Sequence, residues 1–392
     1  MRVLHVVPSL ALSFGGPSQA MVGIAQVLSD RGVDCDVAAC LGSEQAAVAL
    51  RARPRVDGRG AVVVHCFTPS VRPYTLSIGL ARWLIANVRR YDLVHVHGLF
   101  AFPPVFAAFI ALCVRRPYVI RPFGVLNRYG LTRRRPWAKR ISLALVEKPL
   151  LRRADQIHYT AEAERAQAED SGVRGCSTVL PLGVAELAPG DRHLVANRFP
   201  TLRKAFVLVT IGRLDPIKNL EALIDAMAIL AAAGSPARLL VCGEGKPDYQ
   251  NRLFARAAAG PARDSIIWAG DVRGAMKASA LAIADVFVQP TFSENFGNSV
   301  VEAMAAGKPV VVTEGVPMHD LIKRRGAGVV CGTDAPSLAA AMQSCIAGEI
   351  DLARAGAAGR RIVQQHFSLD ALGDGLVALY RRLAIAQGAP SA

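Results

Sequence analysis

Short runs of β-branched and apolar residues alternate along the chain with longer segments whose apolar positions recur every three or four residues. In the first half the runs Val3–Val7, Val33–Ala38, Ala61–Cys66, Leu93–Val96, Tyr118–Ile120, Gln156–Tyr159 and Ser177–Leu180 predict strands. Helical patterns fill the gaps between them, at Gln19–Ser29, Leu76–Arg89, Phe100–Val114 and Pro136–Arg153. Strands alternating with helices imply a parallel sheet covered on both faces.

The pattern thins between Leu182 and Arg203, where Gly, Pro and polar residues dominate, and then resumes. Phe206–Ile211, Arg238–Val241, Ile266–Trp268, Asp285–Val288, Val310–Thr313 and Gly328–Val330 form a second strand series, again with helices between. The expected class is α/β with two Rossmann-like domains: residues 1–182, a linker at 183–204, and residues 205–366. A last helical stretch, 367–392, can pack back onto the first domain. Ligands of such sheets bind beyond the carboxyl ends of the strands, so two of them facing each other place the ligand in an interdomain cleft.

The loops after the strands hold the candidate chemistry. The most informative is S-E-N-F-G-N-S-V-V-E, Ser293 to Glu302, read as a loop running into a helix N-terminus. Glu294 would sit in the loop and Glu302 in the first turns of the helix. Amides of Gly297, Asn298 and Ser299 would face an anion placed in front. Such a set suits a nucleotide sugar, with carboxylates for sugar and ribose hydroxyls and N–H groups for the diphosphate. Ser299 and Glu302 equally spell a capping box, which needs no ligand. In G-R-L-D-P-I-K-N-L, Asp215 suits an N-cap and Pro216 the first helical position, so Arg213 and Lys218 converge on a helix start, a diphosphate site by charge and dipole. Gly243 lies in a tight turn, and Val272 follows Gly270 and Asp271 where a base could be flanked. In the first half, Gly15 and Gly16 either let a backbone approach a phosphate or form a plain turn. His97 ends its strand beside Gly98, where a ligand would lie. His95, two residues earlier, raises a metal pair, but it belongs inside the sheet layer and no further ligands complete a set. Arg121 could meet a phosphate or carboxylate of an acceptor, or form a surface pair.

Composition sharpens this picture. The 392 residues are 52% hydrophobic, and the net charge is +15. The first 200 residues carry 26 Lys and Arg against 14 Asp and Glu, so most of the positive field lies there and favours an anionic partner. No nucleic-acid motif accompanies it, and nucleic acid is not expected as a partner. The basic segment Arg133 to Arg140, with Trp137 inside it and Lys148, Arg152 and Arg153 beyond, fits an anionic membrane surface or a solvated helix face. The longest apolar stretch, Leu99 to Val114, is too short for a span, and the N-terminus reads as a first strand. Eight scattered cysteines without a C-x-x-C suit a reducing compartment. Asp34-Cys35-Asp36 mimics a D-x-D metal clamp but falls inside a strand pattern, and Glu162 with Glu164 reads as a surface pair on a helix.

Together, Gly15-Gly16, His97-Gly98, residues 212–220, Gly243-Glu244-Gly245 and the E-x7-E pair at Glu294 and Glu302 resemble the retaining glycosyltransferases of family four, which have the GT-B fold. The segment R-P-F-G-V-L resembles members that build exopolysaccharide or lipopolysaccharide. The resemblance implies roles. Arg213 and Lys218 would neutralise the departing diphosphate without a metal ion or other cofactor. Glu302 would hold the ribose, and Glu294 the donor sugar, aided by backbone groups of Asn295, Phe296, Gly297 and Asn298. His97 would lie near the reacting carbon and Gly16 near the phosphate. Implied partners are a nucleotide-diphosphate sugar and a glycan or polyprenyl-diphosphate-linked acceptor, in the cytoplasm or on the inner membrane face. The alternatives are a nucleotide-sugar epimerase on the same fold and a non-catalytic nucleotide-sugar-binding partner.

Overall fold

The computed structural model describes residues 1–10, 16–40, 62–71, 73–126, 131, 136–185 and 188–386. The chain divides into two compact units, one of Met1–Gly183 together with the chain from Ser368, the other of Val184–Phe367.

The first unit is built on seven parallel strands: β1 (Arg2–Val7), β2 (Asp34–Cys40), β3 (Val62–Phe67), β4 (Leu93–His97), β5 (Tyr118–Arg121), β6 (Gln156–Tyr159) and β7 (Ser177–Val179). Their order is β3-β2-β1-β4-β5-β6-β7. The order reverses between β1 and β4, so the crevice beyond their carboxyl ends is the place where such a sheet takes a ligand. Helices on both sides explain why β4 and β5 are buried throughout and β1 beyond Arg2, because neither face meets water. One face carries the core of Leu4, Val94, Ile120, Leu80 and Leu84. The other carries Val3, Val37, Met21 and Ile24 with Leu372, Leu376 and Tyr380. The last three belong to the helix Leu369–Ala386, which lies on the helix Gly16–Ser29 and is tied by Arg31 to Asp374 at 2.8 Å.

The helical pattern expected over Pro136–Arg153 is broken into Pro136–Ser142, a π-turn at Leu143–Glu147, and Lys148–Arg153. Pro149 has no N–H to give to the carbonyl four residues back, and the turn widens where that bond is missing. Glu147 is buried there. Its carboxylate accepts the Phe100 amide at 3.1 Å, which ties down the loop following β4, and burial pushes its carboxyl up to about 7.

The second unit has six parallel strands: β8 (Val207–Ile211), β9 (Arg238–Cys242), β10 (Ile266–Gly270), β11 (Val286–Gln289), β12 (Val310–Thr313) and β13 (Gly328–Cys331). Their order is β10-β9-β8-β11-β12-β13, with the reversal between β8 and β11. Residues 184–204, expected as a linker, belong to this unit. They carry the helix Arg192–Arg198, capped by Asp191 and packed on the helix Gly274–Ile283, with Val195 and Ala196 buried.

The helix Leu369–Ala386 contributes fully buried Leu376 to the first unit's core. Leu376→Ala is expected to cost about 2–5 kcal/mol. Urea or thermal unfolding reads this directly, and an unchanged midpoint would show that the helix is not part of that core.

Candidate active site

In the second unit the expected residues gather beyond the ends of β8 and β11. Arg213 follows Gly212 and is exposed, and among the described residues it pairs with no carboxylate. Asp215 caps the turn Pro216–Lys218 through the Ile217 amide at 3.3 Å. That turn is a single 3-10 turn, not the start of a long helix as expected. Asn219 breaks it with a left-handed φ of 54°, held by its side-chain bond to the Thr333 carbonyl at 2.7 Å, and the long helix begins at Leu220. The kink aims Lys218 at the 293–299 loop, where its ammonium donates to Glu294 Oε1. Both partners are mostly buried, with 15% and 16% of their side chains exposed.

The loop itself is laced to the sheet. The Thr291 hydroxyl donates to the Ile217 carbonyl at 2.8 Å, and the Glu294 amide to the Gly315 carbonyl at 2.8 Å. Gln289, the last residue of β11 and 2% exposed, donates from Nε2 to Glu294 Oε1 at 3.4 Å and accepts from the Ser299 hydroxyl at 3.3 Å. The sequence reading passed over this residue. A lone amide closing the run V-F-V-Q was the available signal. Gln289 and Lys218 line a small cavity with Gly212, Arg213 and Thr210.

The capping-box alternative does not form. The helix Asn298–Ala305 is preceded by Gly297 at φ 86°, with no side-chain cap; Ser299 turns to Gln289 instead. Glu302 turns to Lys277, whose Nζ stands 2.5 Å from Oε2, an ion pair at an angle outside hydrogen-bond geometry. Lys277 was also not singled out, because its partner is 25 residues away on another helix. The amides at the start of the helix Asn298–Ala305 have no intrahelical acceptor, as at any helix start. Phe296 is 3% exposed and packs edge-on against Phe367 at 5.4 Å. Asn295 sits beside it with Oδ1 buried and unpartnered among the described residues. Gly243, at φ 145°, admits no side chain, because a Cβ would strike the Gly212 carbonyl. Its amide donates to the Gly270 carbonyl at 2.7 Å, so the ends of β8, β9 and β10 are drawn together. Val272 lies just beyond, 6% exposed.

The first unit holds His97 and Arg121. Both are the final residues of their strands, not loop residues, and they are cross-strand neighbours in the β4–β5 register. Arg121 is fully buried and makes no surface pair. His97 Nε2 lies 2.9 Å from His5 Nδ1 across the β1–β4 reversal. His95 is inside the sheet, as expected, bonded through Nδ1 to the Tyr380 hydroxyl at 2.7 Å and through Nε2 to His158 Nδ1 at 3.4 Å. Nitrogens of His5, His95 and His97 lie within 4.8 Å of one another, near enough to suggest a metal. Both His95 nitrogens are already engaged, however, and the Arg121 cation stands beside the group. Burial and then Arg121 lower His5 to about 3, and burial holds His95, His97 and His158 well below the usual imidazole range. Gly16 opens the helix Gly16–Ser29, and Gly15 lies outside the described residues, as do Arg133, Arg134 and Arg135. Glu164, expected on the surface, is 3% exposed. Its oxygens accept the amides of Gly124 at 2.5 Å and Thr160 at 2.6 Å, and only Glu162 forms a surface pair, with Arg165. Asp36 of the D-x-D mimic is likewise buried in the sheet, bonded to Arg2 at 2.9 Å and to the Tyr91 hydroxyl.

Two Rossmann-like parallel-sheet units, the second with paired cations and carboxylates around a helix start, define the GT-B architecture. Two family models span most of the chain: "Glycosyl transferase 4-like domain" over residues 15–183 and "Glycosyl transferases group 1" over residues 196–362. The chain belongs to the family-four glycosyltransferases and is a transferase. It is 27% identical to the phosphatidyl-myo-inositol mannosyltransferase of Mycobacterium leprae over 93% of each chain. It is 30% identical to the D-inositol 3-phosphate glycosyltransferase of Segniliparus rotundus over 60% of this chain and 56% of that one. Among solved structures, Anabaena Alr3699/HepE in complex with UDP and glucose matches with a TM-score of 0.78, covering 97% of this chain and 100% of that one at 20% identity.

The buried imidazoles make stability depend on pH. His5 titrates near 6.5 unfolded and near 3 folded. Between those values the unfolded chain binds a proton that the folded chain refuses, so stability is full above about 6.5 and is lost as pH falls. His5→Gln should make the fall between pH 6.5 and 5 shallower by up to about 1.4 kcal/mol per pH unit, the one-proton limit. Chemical denaturation at several pH values measures it; identical slopes would mean that His5 is not held neutral.

Proposed function

We propose that this transferase is a retaining enzyme that moves a sugar from a nucleotide-diphosphate sugar to a hydroxyl of a glycan or polyprenyl-diphosphate-linked acceptor in cell-surface polysaccharide synthesis, without a metal ion. The observation that carries the reading is the Lys218–Glu294 contact beside the start of the helix Asn298–Ala305. A cation and a carboxylate side by side match the junction of a diphosphate with a sugar: the ammonium for the phosphate, the carboxylate for the hydroxyls. Arg213 and the helix-start amides add to the field on the diphosphate, the charge stabilisation a divalent cation would otherwise supply. Glu302, held by Lys277, is assigned to the ribose, Val272 to the base and Gly243 to the donor. HepE, solved with UDP and glucose, supports a nucleotide-sugar donor. His97 and Arg121 are assigned to the acceptor side.

In the reaction, the bond from the anomeric carbon to the diphosphate breaks and the acceptor oxygen bonds that carbon on the same face. The acceptor proton passes to the departing phosphate oxygen. Lys218 and Arg213 stabilise the charge that grows there, so they act in the transition state and not only in binding.

Lys218→Ala should lower kcat by about 10²–10³. Glu294→Gln should lower transfer by a similar factor while leaving the nucleoside-diphosphate affinity nearly unchanged. Steady-state transfer with a panel of nucleotide sugars checks both, with chelator present throughout. Wild-type turnover that vanishes with chelator would remove the metal-free reading, and full activity in Glu294→Gln would remove its donor role.

We also propose attachment to an anionic membrane surface. Trp137, Ile141 and Leu145 recur every four residues and are 68%, 53% and 73% exposed, an apolar stripe on the first unit. Lys139, Arg140, Lys148, Arg152 and Arg153 surround it in sequence. Among the described residues no helix is long and apolar enough to cross a membrane. Flotation with anionic vesicles at low salt should recover the wild-type chain, and Trp137→Asp with Leu145→Asp should cut recovery about tenfold or more. Equal recovery of the two would exclude the stripe as the contact.

A further inference from the structure

Of the seven buried side-chain nitrogen and oxygen atoms that lack a hydrogen bond among the described residues, four belong to one cluster: Arg121 Nε and Nη1, His97 Nδ1 and His5 Nε2. Buried polar atoms are almost always paired, so four orphans on three adjacent strands require a cause. The cluster stands at the carboxyl ends of β4 and β5, next to the β1–β4 reversal. Its positive charge is offset only through space, by Glu164, whose two oxygens are hydrogen-bonded to backbone amides instead of to the guanidinium. Among the described residues the Arg121 guanidinium hydrogen-bonds only the Thr160 hydroxyl, at 3.5 Å. Burial lowers Arg121 to about 10, which leaves it charged at neutral pH.

The His5–His97 pair can add one donor. His5 Nδ1 and His97 Nε2 share one proton in their bond. With both rings neutral, one of the two outer nitrogens must then carry a proton and the other must be bare. An oxyanion beside Arg121 would select the form with the proton on His97 Nδ1, turning it into a donor. A metal ion would meet a guanidinium instead of a carboxylate. Phe123 covers the guanidinium, its ring 4.5 Å from the Arg121 carbon and 5.7 Å from the His97 ring. It is partly exposed and held at a left-handed φ of 59°, a conformation that costs a non-glycine residue energy.

We propose that Arg121, His97 and His5 form an oxyanion-binding site covered by Phe123, and that the acceptor presents a phosphoryl or carboxyl group there. The second clause rests on reading the first unit as the acceptor side. The site itself does not, and its test uses no nucleotide sugar.

The test is titration of inorganic phosphate, and separately of acetate, into the full chain bearing Arg213→Ala and Lys218→Ala, which silences the donor-side cations. Histidine 15N chemical shifts report the tautomer, with His97→Gln used to assign the signal. Saturable binding that moves His97 Nδ1 from bare to protonated, and that weakens at least tenfold in Arg121→Gln, is the expected result. If Arg121→Gln does not fold, Arg121→Lys keeps the charge, loses the fork and should weaken binding likewise. Preference for phosphate assigns a phosphoryl source; preference for acetate assigns a carboxyl source. No saturable binding of either anion, or binding indifferent to both Arg121 variants, overturns the site. Failure here leaves donor transfer intact, whereas failure of the Lys218 and Glu294 tests leaves this anion site standing.

Discussion

A parallel strand covered on both faces has no solvent to offer a polar side chain. Such a strand admits one only where another protein group or a ligand meets it. In this chain the candidate site residues accordingly lie at the carboxyl ends of the strands. His97 ends β4, Arg121 ends β5 and Gln289 ends β11. Each lies at or next to the strand pair where its sheet reverses order. Of the histidines that remain inside, His5 is bonded to His97, His95 to Tyr380 and His158, and His158 also to a backbone carbonyl. The sheet thus dictates both where chemistry can be placed and how it is wired.

In the second unit the wiring is electrostatic. Lys218 and Glu294 hold each other, Gln289 braces Glu294, and Lys277 holds Glu302. Lys218, Glu294 and Glu302 are each compensated by a neighbour, which limits the cost of keeping them half-buried without substrate, whereas Arg213 is exposed and solvated. In the first unit Arg121 has Glu164 as a counter-charge through space but no direct ion pair among the described residues, and its Nε and Nη1 lack an acceptor.

Local pattern was legible in the sequence; long-range partnership was not. All thirteen strands were anticipated within two residues at each end, because a strand buried on both faces reads as a continuous apolar run. The ends slipped where a polar residue belongs to the strand: Arg121 was expected after its strand but ends β5, whereas His97 ends its strand as expected. The Ser299–Glu302 capping box, open as an alternative in the sequence, does not form, and the surface position expected for Glu164 was wrong, for one reason: the true partners are remote in sequence. Gln289 competes for Ser299, Lys277 for Glu302, and Gly124 for Glu164. Arg213, Lys218, Glu294 and Glu302 were found because they fall in short motifs. Gln289, Lys277 and His5 were missed because only the fold brings their partners to them. A histidine in the run R-V-L-H-V-V was the visible hint for His5.

The central claim is that protein cations, not a metal ion, grip the diphosphate at the ends of β8 and β11. A crystal structure with a bound nucleoside diphosphate, grown with magnesium present, tests it most directly. The account predicts phosphate oxygens on Lys218 Nζ, Arg213 and the amides of Asn298 and Ser299, with no ion bridging them. A magnesium ion held between the phosphates and a carboxylate, or a diphosphate bound elsewhere, would contradict it.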